Sequence, residues 1–181
     1  MNQPLQSELD VLRDVASRLE QAGFDYMLSG SLAMSFYATP RMTRDIDVVV
    51  ALGAENAIKL REAFAGVYFV PDDLVRSMRS PGMFNLVHLE SVVKVDVIVR
   101  KDDPYRRLEF ERRTRMDLDG LPLWIVSRED LILSKLVWAK DAESELQRRD
   151  VINLLPGADV AYLRGWAPQL GVEDLLERLV P

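Results

Sequence analysis

Asp45 and Asp47 occur in the run Asp45-Ile46-Asp47-Val48. In an extended chain they project from the same face, about 6.5–7 Å apart at the backbone, while Ile46 and Val48 project from the other. Carboxylates this close repel, so one takes a proton or a cation sits between them. Ligation by oxygen alone suits a hard ion, Mg²⁺ or Mn²⁺, particularly one that also grips phosphates. Upstream, across the thirteen residues 32–44, Met27-Leu28-Ser29-Gly30-Ser31 reads as a strand running through a Gly-Ser turn into a short helix. Free backbone N–H groups at such a helix start favour an anion. The two pieces together suit a metal-bound nucleoside triphosphate. The plainer alternatives are an exposed strand face for the two acids and an N-cap role for Ser31, which is compatible with phosphate contact.

A third acid extends the pattern. Asp96 stands in Val93-Lys94-Val95-Asp96-Val97-Ile98-Val99, a strand otherwise almost wholly apolar. A buried carboxylate there needs a metal, a cation or hydrogen-bond donors. Lys94, on the same strand face, is the cation that could serve without any metal.

The ordered set of apolar-Gly-Ser, Asp-apolar-Asp-apolar and a later strand Asp resembles the signature of the DNA polymerase β-like nucleotidyltransferase superfamily, over roughly residues 26–99. The resemblance implies transfer of a nucleoside monophosphate from a triphosphate to an acceptor, with Asp45, Asp47 and Asp96 as catalytic acids and metal ligands. It implies that Gly30 and Ser31 hold the terminal phosphates and adds Arg44, in Arg41-Met42-Thr43-Arg44-Asp45, to the nucleotide-binding set. Small prokaryotic members are the most similar, among them toxin–antitoxin nucleotidyltransferases. Minimal antitoxin versions carry Ala-Arg-Gly after the Gly-Ser, and Leu32-Ala33-Met34 departs from that pattern.

Lys135 lies in Leu131-Ile132-Leu133-Ser134-Lys135-Leu136-Val137-Trp138, a helix apolar on nearly every side. Its ammonium either snorkels to the surface or reaches the triphosphate, as a helix lysine does in several families of the superfamily. Arg148-Arg149-Asp150 is loosely similar to a basic-then-Asp pattern of abortive-infection toxins of that superfamily, which makes Asp150 a nucleotide-site candidate. Residues 100–115 hold seven basic residues among Asp102, Asp103, Glu109 and Glu111. They read first as a solvated amphipathic helix and second as a track for RNA phosphates. His88 has no partner motif and is read as structural.

Elements that would position these residues follow from periodicity and punctuation. Helices are expected over an N-terminal stretch closed by Gly23, and over 32–38, 54–65, 72–79, 105–115, 128–139, 143–155, 159–166 and 172–180. Strands are expected over 24–29, 45–51, 67–70, 83–89, 92–100 and 123–126, with 83–89 and 92–100 an antiparallel pair. The fold class is therefore α+β: a nucleotidyltransferase-type mixed β-sheet flanked by helices, with a helical C-terminal third. The expected organisation is an α/β core over 1–126 and a helical region over 127–181 packed on it.

Composition bounds the rest. The chain has 181 residues, 48% apolar and 29% charged, ordinary for a globular protein. A net charge of −6 disfavours non-specific coating of nucleic acid. Without cysteine there is no disulfide, thiolate zinc site or cysteine nucleophile. No signal peptide or membrane span is evident, so a cytoplasmic location is expected. The expected partners are a nucleoside triphosphate, an RNA, protein or small-molecule acceptor, and a cognate partner protein if the chain belongs to a toxin–antitoxin pair. The alternative is a non-catalytic nucleotide- or partner-binding protein of the same fold. A nuclease would show acid-x-Lys, and here the order is Lys94-Val95-Asp96.

Overall fold

The apolar stripe Leu12, Val15, Ala16 and Leu19 is buried along α1 (Gln3–Gln21), which turns out of its last hydrogen bonds at Gly23, with φ +65°. The chain then enters β1 (Tyr26–Ser29), in which all four residues are buried. This computed structural model describes residues 3–39, 45–79, 82–118 and 120–180, with side chains from residue 8 onward. Next come α2 (Gly30–Met34), β2 (Asp45–Val50), α3 (Ala57–Phe64), β3 (Tyr68–Phe69) and α4 (Leu74–Arg79). They are followed by β4 (Met83–His88), β5 (Lys94–Val99), α5 (Pro104–Glu111), β6 (Thr114–Leu118) and β7 (Leu121–Ile125). Four helices end the chain: α6 (Arg128–Ala142), α7 (Glu145–Leu154), α8 (Val160–Leu170) and α9 (Glu173–Leu179).

The strands form one mixed sheet in the order β3-β4-β5-β2-β1-β7-β6. The β2·β5 and β1·β7 pairs are parallel and the others antiparallel. This is the expected α+β arrangement. In β2 and β5, Ile46, Val48, Val50, Val95 and Val97 are each no more than 2% exposed. They form the apolar face, so the acids must occupy the other.

Two expectations need correction. Helix was expected through residue 115, but α5 ends at Glu111 and residues 114–118 form β6, antiparallel to β7. Its mostly exposed residues alternate without a strong apolar face, as an edge strand permits. The helix expected over 32–38 is shorter and earlier, running from Gly30 to Met34. Several basic residues of the 100–115 stretch are paired with acids. Arg106 pairs with Glu109, Arg107 with Asp102, Arg113 with Asp25 and Arg115 with Glu20. Such internal neutralisation disfavours a track for RNA phosphates.

Ser127 caps α6, accepting a hydrogen bond from the Asp130 N–H, as its spacing predicts. Asp130, fully buried, accepts from Ser127 Oγ, Arg112 Nε at 2.9 Å, Tyr162 Oη at 2.8 Å and Tyr105 Oη at 3.3 Å. One carboxylate thereby ties α5, α6 and α8 together. Asp130→Ala leaves several of these polar groups without their acceptor and is expected to cost about 3–5 kcal/mol in a urea melt. A change within about 0.5 kcal/mol would deny the network a structural role. Helix α6 touches α2, α7, α8 and α9, and one hydrophobic core runs from Val11 to Leu176. Among the described residues, no helix is long and apolar enough to cross a membrane.

Candidate active site

The site is assembled by strand register. In the parallel β2·β5 pair Asp47 stands opposite Asp96 and Asp45 opposite Lys94, while in the antiparallel β1·β2 pair Ser29 stands opposite Asp47. Directly paired residues share a sheet face, so the structure brings Asp45, Asp47, Asp96, Lys94 and the Ser29-Gly30 turn to one side. Asp45 is well exposed, whereas the Asp96 side chain is only 15% exposed.

The turn fits against the acids at close range. Gly30 has φ +63°, and a Cβ built on it would lie 1.9 Å from Asp47 Oδ2. Only glycine meets both the left-handed backbone and this approach. Helix α2 spans five residues, so its dipole is short. Ser31 is buried at its first turn.

Lys94 stands with its ammonium 3.1 Å from Asp96 Oδ1 and 3.7 Å from Asp45 Oδ1. The lysine foreseen as a partner for Asp96 thus contacts two of the three acids. The ammonium is the group that faces the buried Asp96 Oδ1, and the Asp96 contact first, then its charge and that of Asp45, hold Lys94 above its usual range. Among the described residues, the acids are not gathered into a ready three-ligand cluster. Asp47 responds to the crowding: burial first, then the charges of Asp96 and Asp45, push its carboxyl up to about 6. Two carboxylates facing each other in register, one of them held above its usual range, and a set of hard oxygen donors are what a divalent cation would relieve. The residues present fit such an ion.

Lys135 does not snorkel. It is 3% exposed and donates to Asp150 Oδ2 at 2.7 Å and Gln147 Oε1 at 3.1 Å, a pairing that also buries Asp150. Asp150 sits behind the lysine and positions it. Lys135, Gly30 and Asp47 line one cavity of about 300 Å³ between the sheet and helices α5 and α6. Arg44 falls outside the described residues. The sequence reading missed the other walls of this cavity, notably Arg106, Glu109, Ser134 and Trp138. The available signal was Trp138, three residues after Lys135 and four after Ser134 on one helix.

The pairing sets what Lys135→Met does. Length and apolar stem are kept, but Asp150 loses its ammonium inside the protein, at an expected cost of about 3–5 kcal/mol. Adding Asp150→Asn should restore much of that stability. The double variant should still bind triphosphate roughly 10- to 100-fold more weakly than wild type by calorimetry. Wild-type affinity in the double variant would remove Lys135 from the site.

No family model matches the chain, and no curated protein matches it. Solved structures do. It matches the solution structure of the antibiotic-resistance factor ANT(2'')-Ia with a TM-score of 0.64 at 12% identity, over 96% of each chain. It matches an antigenic nucleotidyltransferase-like protein from Paracoccidioides brasiliensis with a TM-score of 0.59 at 19% identity, over 94% of this chain and 93% of that one. The lincosamide antibiotic adenylyltransferase LnuA matches with a TM-score of 0.50 at 16% identity, over 85% of this chain and 96% of its own. Identities this low speak to fold.

Proposed function

From the nucleotidyltransferase fold that this chain has, we propose that it moves a nucleoside monophosphate from a nucleoside triphosphate to a hydroxyl-bearing acceptor in a reaction dependent on Mg²⁺ or Mn²⁺. The acceptor oxygen bonds to the α-phosphorus as the bond from that phosphorus to pyrophosphate breaks, and pyrophosphate leaves. Residues 1–126 act as the catalytic core, and residues 127–181 close the site by bringing Lys135 to it. The observation that carries the reading is the in-register pairing of Asp47 with Asp96, beside a glycine whose Cα packs against the Asp47 carboxylate.

Asp45, Asp47 and Asp96 would hold the divalent ion, which when bound neutralises phosphate charge and makes an acceptor hydroxyl more acidic. The chain's own groups do the positioning. Backbone N–H groups at Gly30 and Ser31 take phosphate oxygens, and Lys135, held by Asp150, adds a fixed positive charge. Asp96, paired in register with Asp47, accepts the proton of the attacking hydroxyl. Lys94 neutralises part of the charge on Asp45 and Asp96.

The test is incubation of the purified protein with each α-labelled triphosphate, Mg²⁺ or Mn²⁺, and cellular RNA, protein and small-molecule fractions. Label transferred to one fraction, lost on chelation, supports the proposal and identifies the acceptor class. Tight triphosphate binding without transfer in any fraction would instead support a non-catalytic nucleotide binder.

A further inference from the structure

The seven-stranded sheet has two edges, and they are finished differently. β3 is two residues long, and a very short strand is one way an edge is kept from pairing. β6, at the other end, is five residues long, and among the described residues it pairs with β7 alone. Its outer row of backbone N–H and C=O groups therefore points away from the sheet. Its side chains divide by face. Met116 and Leu118 stand opposite Leu123 and Leu121 and are half-buried against the hydrophobic core. Arg115 and Asp117 stand opposite Trp124 and Pro122 and are exposed.

These two charges are loosely held. Arg115 lies 3.4 Å from Glu20, with both side chains 42% exposed, and its guanidinium sits over the Trp124 ring. Asp117 accepts from the Gly120 N–H at 2.8 Å, which leaves lone pairs on its carboxylate. Exposed pairs of this kind contribute little, so both groups can meet a further partner. Charges on an edge strand normally discourage pairing. Here they have opposite signs, two residues apart on one face, and that order selects a partner. When β6 lies antiparallel to β6 of a second copy, centred on Met116, Arg115 faces the copy's Asp117 and Asp117 faces its Arg115. The two Met116 side chains then meet on the core side. Sliding by two residues in either direction sets Arg115 against Arg115 or Asp117 against Asp117. A one-residue slip sets charged side chains against apolar ones. Parallel pairing in register brings both like-charge pairs together at once. Opposite charges directly across a strand pair are favourable and like charges unfavourable, so one register wins.

We propose that two copies of this chain pair through β6 in this register, joining their sheets edge to edge about a two-fold axis at Met116. β1 and β7 stand between β6 and β2, so the acid face lies outside the contact in both copies. One short strand from each side makes a contact smaller than the standard interface of about 1,600 Å². The dimer is accordingly reversible and forms at high concentration.

Sedimentation velocity of the full chain, from about 10 μM to about 1 mM, tests this. Wild type is expected to shift from monomer towards dimer across that range. Arg115→Asp and Asp117→Arg each set like charges opposite one another twice and are expected to stay monomeric. Mixed in equal amounts, the two should associate, because one chain then presents two acids and the other two bases. The double variant Arg115→Asp/Asp117→Arg restores the complement and should dimerise as wild type does. Both positions are exposed, so the variants are expected to fold, and a melt of each checks this. If a single variant does not fold, the double variant decides. A wild type that stays monomeric throughout overturns the proposal, as does a dimer that both single variants retain. Folded single variants that do not associate when mixed, or a monomeric double variant, overturn it equally.

Discussion

Asp47→Asn should abolish nucleotidyl transfer and, in the presence of EDTA, make the protein more stable at neutral pH. The two results come from one source. Asp47 keeps its proton up to about pH 6 in the folded chain because of burial and then the charges of Asp96 and Asp45, against an ordinary value of 3.8. A carboxyl whose folded pKa lies above its unfolded one contributes its full share of stability below about pH 3.8. It loses that share as pH rises through 6, when the unfolded state ionises freely and the folded state resists. Above pH 6 the metal-free protein carries a penalty of about 2–3 kcal/mol at this residue. The asparagine variant does not titrate, so its stability should be flatter between pH 4 and 7 and exceed that of wild type at pH 7.5. Mg²⁺ should raise the melting temperature of wild type at pH 7.5 and leave the variant nearly unmoved, and transfer should fall by at least about 1,000-fold. Thermal melts across pH, with EDTA and with Mg²⁺, check the first part. A variant clearly less stable than wild type in EDTA at pH 7.5 would mark Asp47 as a structural residue.

Gly30→Ala is expected to have the second large effect, through shape rather than charge. A left-handed backbone costs a non-glycine residue about 1–2 kcal/mol. The added Cβ would also meet Asp47 Oδ2 at 1.9 Å and Cγ at 2.6 Å, so the turn or the carboxylate must shift. Gly66 supplies the control. It has φ +77°, but nothing lies within 4 Å of its would-be Cβ, so Gly66→Ala reports backbone strain alone. The expected outcome is about 1 kcal/mol lost for Gly66→Ala with full activity, against about 2–4 kcal/mol for Gly30→Ala with activity at background. Similar losses of stability in both, with activity kept in both, would refute the contact.

Much of this site was legible because its parts are local. Period-two alternation puts Asp45 and Asp47 on one face, and Gly-Ser after an apolar strand marks a turn where backbone N–H groups are free. The relation between the parts was less accessible. Whether Lys94 or a metal answers Asp96 depends on the parallel register of β2 against β5, and no short-range pattern reports a pairing across residues 51–93. β6 escaped because Thr114-Arg115-Met116-Asp117-Leu118 has a charge pattern suited to either helix or edge strand, and pairing with β7 decides. The burial of Lys135 was likewise undecidable, since the helix is apolar on most sides and the partner Asp150 lies on the next helix. The arginines of residues 100–115 looked like a solvated set, and only tertiary structure brings Asp25 and Glu20 to Arg113 and Arg115.

The parallel pairing of β1 with β7 has a consequence for synthesis. Leu28, near the start of the chain, is hydrogen-bonded beside Ile125, and all four residues of β1 are buried. Until residues 121–125 leave the ribosome, β1 is an apolar strand with one edge open, the kind of surface that pairs with a neighbouring chain. Translation at roughly 5–20 residues per second leaves that edge uncovered for about 5–20 s. Long-range strand pairing is also slow to form. Chains stopped between β5 and β7 would hold all three acids yet lack the strand that covers β1, and should therefore collect in chaperone complexes or aggregates. The acids of the first hundred residues stand on a sheet with β1 covered only when the chain returns to its beginning.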